Sequence, residues 1–233
     1  MALRQNISTM KKLTLPLLIA FLLPFTFSCA SGRFAGYQLN ENDAAAAIRQ
    51  MLQLGARNNI SAGAFSKEMI MTTVFPESVK KVLNTVSQLG LTTEIDRFTT
   101  TLGLAAEKTA ERSVPIFVNG ITNMRFGDAM RVIKAGGTAG TDYLRASIGD
   151  SLRRSITPVM QTALDEYKLN EQWNAIIKPL GGNRINLDMA NLMAGLVSES
   201  MFRKIAEQER QVRADAAART TPLLQKVFSR NWN

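Results

Sequence analysis

The stretch IDRFTTTLGLAAEKTAERSVPIFVNGI, Ile95 to Ile121, decides how the chain is read. Its apolar residues Ile95, Phe98, Leu102, Ala105, Ala106, Ala110, Val114, Phe117 and Ile121 recur every three or four positions, the spacing of one buried helical face. The period continues across Pro115, whose missing amide kinks or divides a helix. The segment therefore predicts one long bent helix or two in series, with Thr92 or Thr93 as the cap.

The same period runs outward in both directions. Asn40 or Asn42 can cap a helix through Ala44 to Ala47 that carries Ile48, Met51, Leu52 and Gly55 on one face and ends near Asn58. Val79, Val82, Leu83 and Val86 mark another, stopped near Gly90. A short helix from Asp128 to Ala135 ends at Gly136-Gly137. Leu144, Ile148, Leu152, Ile156, Val159 and Met160 then form a stripe that contains Pro158. A short helix spans Glu171 to Lys178, and Asn186 can cap the last long one. In that helix Met189, Leu192, Met193 and Leu196 lie nearly opposite Phe202, Ile205 and Val212, so it either bends near Gly195 or touches different neighbours along its length. Thr221-Pro222 opens a closing helix through Phe228. Only Met69 to Phe75, rich in β-branched residues, reads as a short extended piece before Pro76. No βαβ alternation and no repeat interrupts this pattern. The expected fold is all-α, an irregular multi-helix bundle with at most short extended segments.

Composition narrows the chemistry. The chain has 233 residues, 45% hydrophobic and 20% charged, which suits a globular domain. It has no histidine and a single cysteine, Cys29. Ser-His-Asp and Cys-His catalysis, intrachain disulfides and the common zinc sites are thereby excluded. No cofactor is implied, and a metal, if one binds, is a hard oxygen-seeking ion. The net charge is +9, but Arg4, Lys11 and Lys12 contribute three of those charges near the N-terminus, and the remaining basic residues are interspersed with acids. No one-sign run follows a phosphate backbone, so no nucleic-acid partner is expected.

At the N-terminus, Met10-Lys11-Lys12 precedes the apolar run Leu13 to Phe27, which is followed by Ser28-Cys29-Ala30-Ser31-Gly32. This is the order of a secretion leader. The run has 15 residues and contains Pro16 and Pro24, whereas a spanning helix needs about 20. Cys29 resembles the lipidated first residue of bacterial lipoproteins; the competing reading is an ordinary cleaved signal with a chance cysteine. The expected organisation is a leader over 1–28, a tether over 29–41 and a single helical domain over 42–233. Lipid on Cys29 would hold the domain at the membrane, facing the periplasm. Ala30 lacks the Asp that retains lipoproteins in the inner membrane, so the outer membrane is the expected destination.

Several polar residues are candidates for a site. Glu107 projects from the edge of the Phe98/Leu102/Ala106 stripe, where it can bind a cation or a ligand's donor, or pair with an arginine of a neighbouring helix. Asp128, after Phe126-Gly127, can ligate calcium, but a carboxylate in a first turn more simply caps the helix. The loop Gly136-Gly137-Thr138-Ala139-Gly140-Thr141, with Tyr143 and Arg145 behind it, can cradle an anion or polar head group on backbone amides, or be a flexible turn capped by Thr138 or Thr141. It lacks the Lys-Ser/Thr ending of a phosphate-binding P-loop. The eleven methionines can line an acyl cavity or simply fill the core. Glu207 and Glu209 with Arg203, Arg210 and Arg213 read as a solvated helix face.

The ordered set Ala105-Ala106-Glu107, Pro115-Ile116-Phe117, Asp128-Ala129, Thr141-Asp142-Tyr143, Pro158-Val159 and Ala206-Glu207-Gln208-Glu209 through Arg213 to Val227-Phe228 resembles the bacterial domain-of-unknown-function family 4197. The resemblance spans Asn42 to Phe228. It implies a helical, exported protein and carries no reaction with it. Two functional readings remain: a non-enzymatic envelope lipoprotein that binds a partner protein, polymer or lipid, and a hydrolase or lyase using Glu107 and Asp128 as acid and base.

Overall fold

A computed structural model of the chain describes residues 36–58, 63–181 and 187–232. The leader, Cys29, most of the tether and the expected cap Asn186 lie outside the described residues. The chain divides into two units, Met1–Gln38 and Leu39–Asn233, and every described helix belongs to the second. Among the described residues there are nine α-helices, one π-helical and one 3-10 segment, and no strand.

Four long helices form the bundle. They are α1 (Glu41–Arg57), α4 (Thr92–Asn123), α6 (Ala139–Glu166) and α8 (Met189–Ala214), and α8 packs on each of the other three. Side-chain caps start several elements as the sequence predicts. Asn40 Oδ1 accepts from the Asp43 amide at 2.9 Å to open α1. Asp128 Oδ1 accepts from Arg131 N at 2.8 Å to open α5 (Ala129–Ala135). Thr221 Oγ1 accepts from Leu224 N at 3.2 Å to open α9 (Pro222–Phe228). α8 is capped by Asp188, which accepts from Asn191 N at 3.1 Å.

Neither Thr92 nor Thr93 caps α4, which starts after Leu91 with no side-chain cap; the Thr92 hydroxyl is bonded to Ser87 Oγ at 2.9 Å. α4 is one 32-residue helix with Pro115 inside it, and α6 one of 28 residues with Pro158 inside. Neither proline divides its helix; burial of the flanking apolar residues outweighs one lost hydrogen bond in each. α8 remains a single helix past Gly195, and both of its apolar faces, Met193/Leu196 and Phe202/Ile205/Val212, are buried.

Two smaller groups complete the domain. α2 (Lys67–Met69), α3 (Glu77–Gln88) and α7 (Leu169–Ile177) lie along α4, where Trp173 packs on Phe98 at 5.7 Å and on Phe75 at 6.5 Å. α5 and α9 cover the outer side of α1. Phe98, Phe117, Leu102, Ile121, Met51, Leu144 and Met160 are fully buried, each worth about 2 kcal/mol in water-excluded apolar area. Met51, Met160, Met189 and Met193 are core.

The extended piece expected over Met69 to Phe75 is instead helical: α2 runs into a π-helical turn, Ile70–Val74. Ser66 caps the start by accepting from Met69 N at 3.2 Å, and Thr72 Oγ1 donates to the Glu68 carbonyl at 2.8 Å. Ile70 and Val74, four apart, both face the core. Only Phe75, before Pro76, is extended. Here tertiary burial overrides β-propensity.

Candidate functional site: the cleft beside Glu107

Two close backbone approaches build the cleft. At the C-terminal end of α1, a Cβ on Gly55 would stand 2.8 Å from the Ile205 Cα, so α1 and α8 touch through their main chains there. On α4, a Cβ on Gly103 would stand 2.5 Å from the Phe65 carbonyl oxygen, so the segment before α2 lies against that helix. One helical turn further along α4, Glu107 accepts from the Gly63 amide at 2.6 Å. Glu107 thus fastens this segment, and among the described residues no arginine pairs with it.

The space left between α1, α4 and α8 is a cleft of about 390 Å³. Its floor is apolar or small, with Gly55, Ala56, Ala110, Val114 and Met201, and Glu107, Lys108, Glu111 and Lys204 stand in its walls. Three of these charges are matched by an opposite charge, Lys108 to Glu111 at 2.9 Å and Lys204 to Glu207 at 3.1 Å, while Glu107 is held by the Gly63 amide. The hydrogen bond and charge of Lys108 hold the Glu111 carboxyl below its ordinary value of 4.5. Leu104 also lines the cleft and is 49% exposed, one of two large hydrophobic residues standing in solvent among the described residues. Chemically the arrangement offers an apolar contact rimmed by two ion pairs and by Glu107 on its backbone amide.

The loop before α6 is already filled. Glu209, on α8, is completely buried, and its carboxylate accepts from Gly140 N at 2.9 Å, Thr141 N at 2.7 Å and Thr141 Oγ1 at 2.7 Å. Arg213, one turn on, donates to the same carboxylate at 2.9 Å and 3.1 Å, and to the Ile133 carbonyl of α5 at 3.0 Å. The first turn of α6 therefore binds an anion as its amides dictate, but the anion is the chain's own side chain. Glu209 is not part of a solvated face, and Thr138, whose hydroxyl bonds Asp142 at 3.0 Å, does not cap the helix. The sequence held a signal for this: Glu209 stands in register with Phe202, Ile205 and Val212, inside an apolar stripe, with Arg213 four residues on.

The remaining candidates disperse. Asp128 caps α5, whose amides of Ala129 and Met130 also donate to Glu41, the latter at 3.2 Å. Tyr143 stacks on Phe126 at 5.2 Å and donates its hydroxyl to the Arg125 carbonyl at 2.9 Å, pinning the α4–α5 connection. Arg145 pairs with Glu199 and lies over the Phe202 ring at 4.5 Å. Thr141 is buried against Glu209.

Glu107 shares the cleft with Gly55 and Asn58 at one end of α1, whereas Asp128 neighbours Glu41 at the other. The 17 residues of α1 put about 25 Å between those ends. Paired glycosidase-type carboxylates stand about 5–10 Å apart, so Glu107 and Asp128 do not form such a pair. Among the described residues no three His, Cys, Asp or Glu side chains are grouped to hold a metal ion.

Fold and site together define an all-helical bundle with an open amphipathic cleft and an internally neutralised carboxylate. The chain belongs to the family described as "Protein of unknown function (DUF4197)", whose model matches residues 38–229. Comparison with curated proteins and with solved structures finds no match.

Proposed function

We infer that the protein is an envelope lipoprotein, anchored through lipid on Cys29 at the periplasmic face of the outer membrane, whose helical domain binds a partner protein through the α1–α4–α8 cleft. The observation that carries the binding reading is Leu104, an exposed apolar side chain beside a small-residue floor and ringed by side chains that already have ion-pair or backbone partners. That is the composition of a protein interface, an apolar centre with a polar rim. A partner meeting it desolvates Leu104 beside charges of which only Glu107 lacks a counter-charge, and that carboxylate keeps the Gly63 amide.

The anchor is supported by the leader sequence and by the position of the helical unit, which starts at Leu39, close behind Cys29. No helix among the described residues is long and apolar enough to cross a membrane. One experiment reads both parts. Cells are fed a clickable palmitate analogue and carry a photo-crosslinking amino acid at position 104. Label on the wild type, its loss in Cys29→Ala, and a discrete cross-linked protein are expected. An unlabelled wild type overturns the anchor, and a position 104 that cross-links to nothing overturns the cleft.

A further inference from the structure

Gly195 sits on α8 between two cavities. On one side α6 and α8 enclose a groove of about 540 Å³, with Arg145, Arg153, Arg154, Ser151 and Ser198 in its wall. On the other side α8 and the π-helical turn enclose a slot of about 420 Å³ lined by Met69, Val74, Leu192 and Leu196. Gly195 and Glu199 belong to both. With no side chain at Gly195, nothing from that position divides them: a Cβ there would meet only Arg153 Cδ, at 3.9 Å. Both volumes lie in the range of small-ligand sites.

The charges of the groove are unequal. Glu199 is neutralised by Arg145, which is held over Phe202. Arg153 and Arg154 are exposed and make no ion pair among the described residues, with Asp150 as the one other carboxylate of the groove. Two guanidiniums beside one carboxylate favour an anion, and their forked donors match phosphate oxygens. The adjoining slot is walled by Leu192, Leu196 and Val74, with Met69 able to adapt to an unbranched chain and with Thr73 and Arg203 as its polar members. Its π-helical wall is an irregularity of the kind concentrated at functional sites.

We propose that these adjoining grooves bind a single-chain anionic amphiphile laid across Gly195, its alkyl tail in the slot beside Met69 and its phosphate head on Arg153 and Arg154. The site extends the binding-module reading to a second ligand class, and it shares no residue with the Leu104 cleft, so either can fail without the other.

The test uses the full chain and dodecyl phosphate below its critical micelle concentration, followed by titration calorimetry. Saturable binding of one molecule per chain is expected. The Arg153→Gln/Arg154→Gln pair weakens it on the order of tenfold or more, as does Gly195→Leu, which plugs the junction. Inorganic phosphate and the uncharged dodecyl maltoside each bind at least about tenfold more weakly, because each offers one half of the recognition. Absence of saturable binding, maltoside or inorganic phosphate binding as tightly as dodecyl phosphate, or an arginine pair that binds like the wild type overturns the proposal. The arginine substitutions lie on the surface, so the test stands even where Gly195→Leu lowers the melting temperature.

Discussion

The Glu209 carboxylate and the Thr141 amide stand 2.7 Å apart although 68 residues separate them in the chain. A buried carboxylate satisfied by two backbone amides, a hydroxyl and a guanidinium is coupled to every partner it satisfies. Glu209→Ala removes the acceptor and leaves Arg213 facing a desolvated gap. The expected loss is about 3–5 kcal/mol in urea unfolding, since breaking one side of a buried pair strands the other. Glu209→Gln keeps the shape and one acceptor oxygen and loses less. A Glu209→Ala protein as stable as the wild type contradicts this account.

Gly55→Ala raises helix propensity on α1, yet its methyl group would be forced toward the Ile205 main chain at 2.8 Å. Backbone cannot rotate out of the way as a side chain does. The expected net effect is destabilisation by about 1–3 kcal/mol, read as a lower denaturant midpoint at unchanged slope. A stabilised variant would mean that α1 and α8 do not approach through Gly55.

Asp128→Ala deletes the cap of α5 and costs about 1 kcal/mol, whereas Asp128→Asn, still an acceptor, loses only a fraction of that. Hydrogen exchange at the Arg131 amide, the donor to Asp128, separates the cap from a distant effect: it accelerates in the alanine variant alone.

Lys108 lowers the Glu111 carboxyl below 4.5, chiefly by its hydrogen bond. A depressed carboxylate favours the folded state above its unfolded titration point, and that contribution disappears as pH falls through the folded value. In a carbon-detected NMR titration the Glu111 midpoint is expected below 4.5 and is expected to rise in Lys108→Met. An unmoved midpoint would place Lys108 away from Glu111.

Helices, and most of their ends, were legible because apolar spacing and capping residues are local properties. Asn40, Asp128 and Thr221 cap as the sequence suggests, and the Phe98-to-Ile121 stripe is buried along α4 except at Val114, which lines the cleft. Met69 to Phe75 was misread because the choice between helix and extended chain there was settled by Ile70 and Val74 reaching the core. The candidate site was less legible, since side-chain partners come from distant elements. Glu107 bonds the Gly63 amide, and neither Gly63 nor Leu104 carries a motif. Glu209 looked like one member of a charged run, although its phase with Ile205 and Val212 placed it inward. Asp128 has the local capping role that the simpler reading assigned it, whereas Thr141 caps nothing and instead donates to the distant Glu209.

The tie between α6 and α8 also bears on how the polypeptide matures. All of α6 leaves the ribosome well before Glu209 follows, so until then its first-turn amides lack their native acceptor. Native packing at that helix end is consequently a late event that waits for α8.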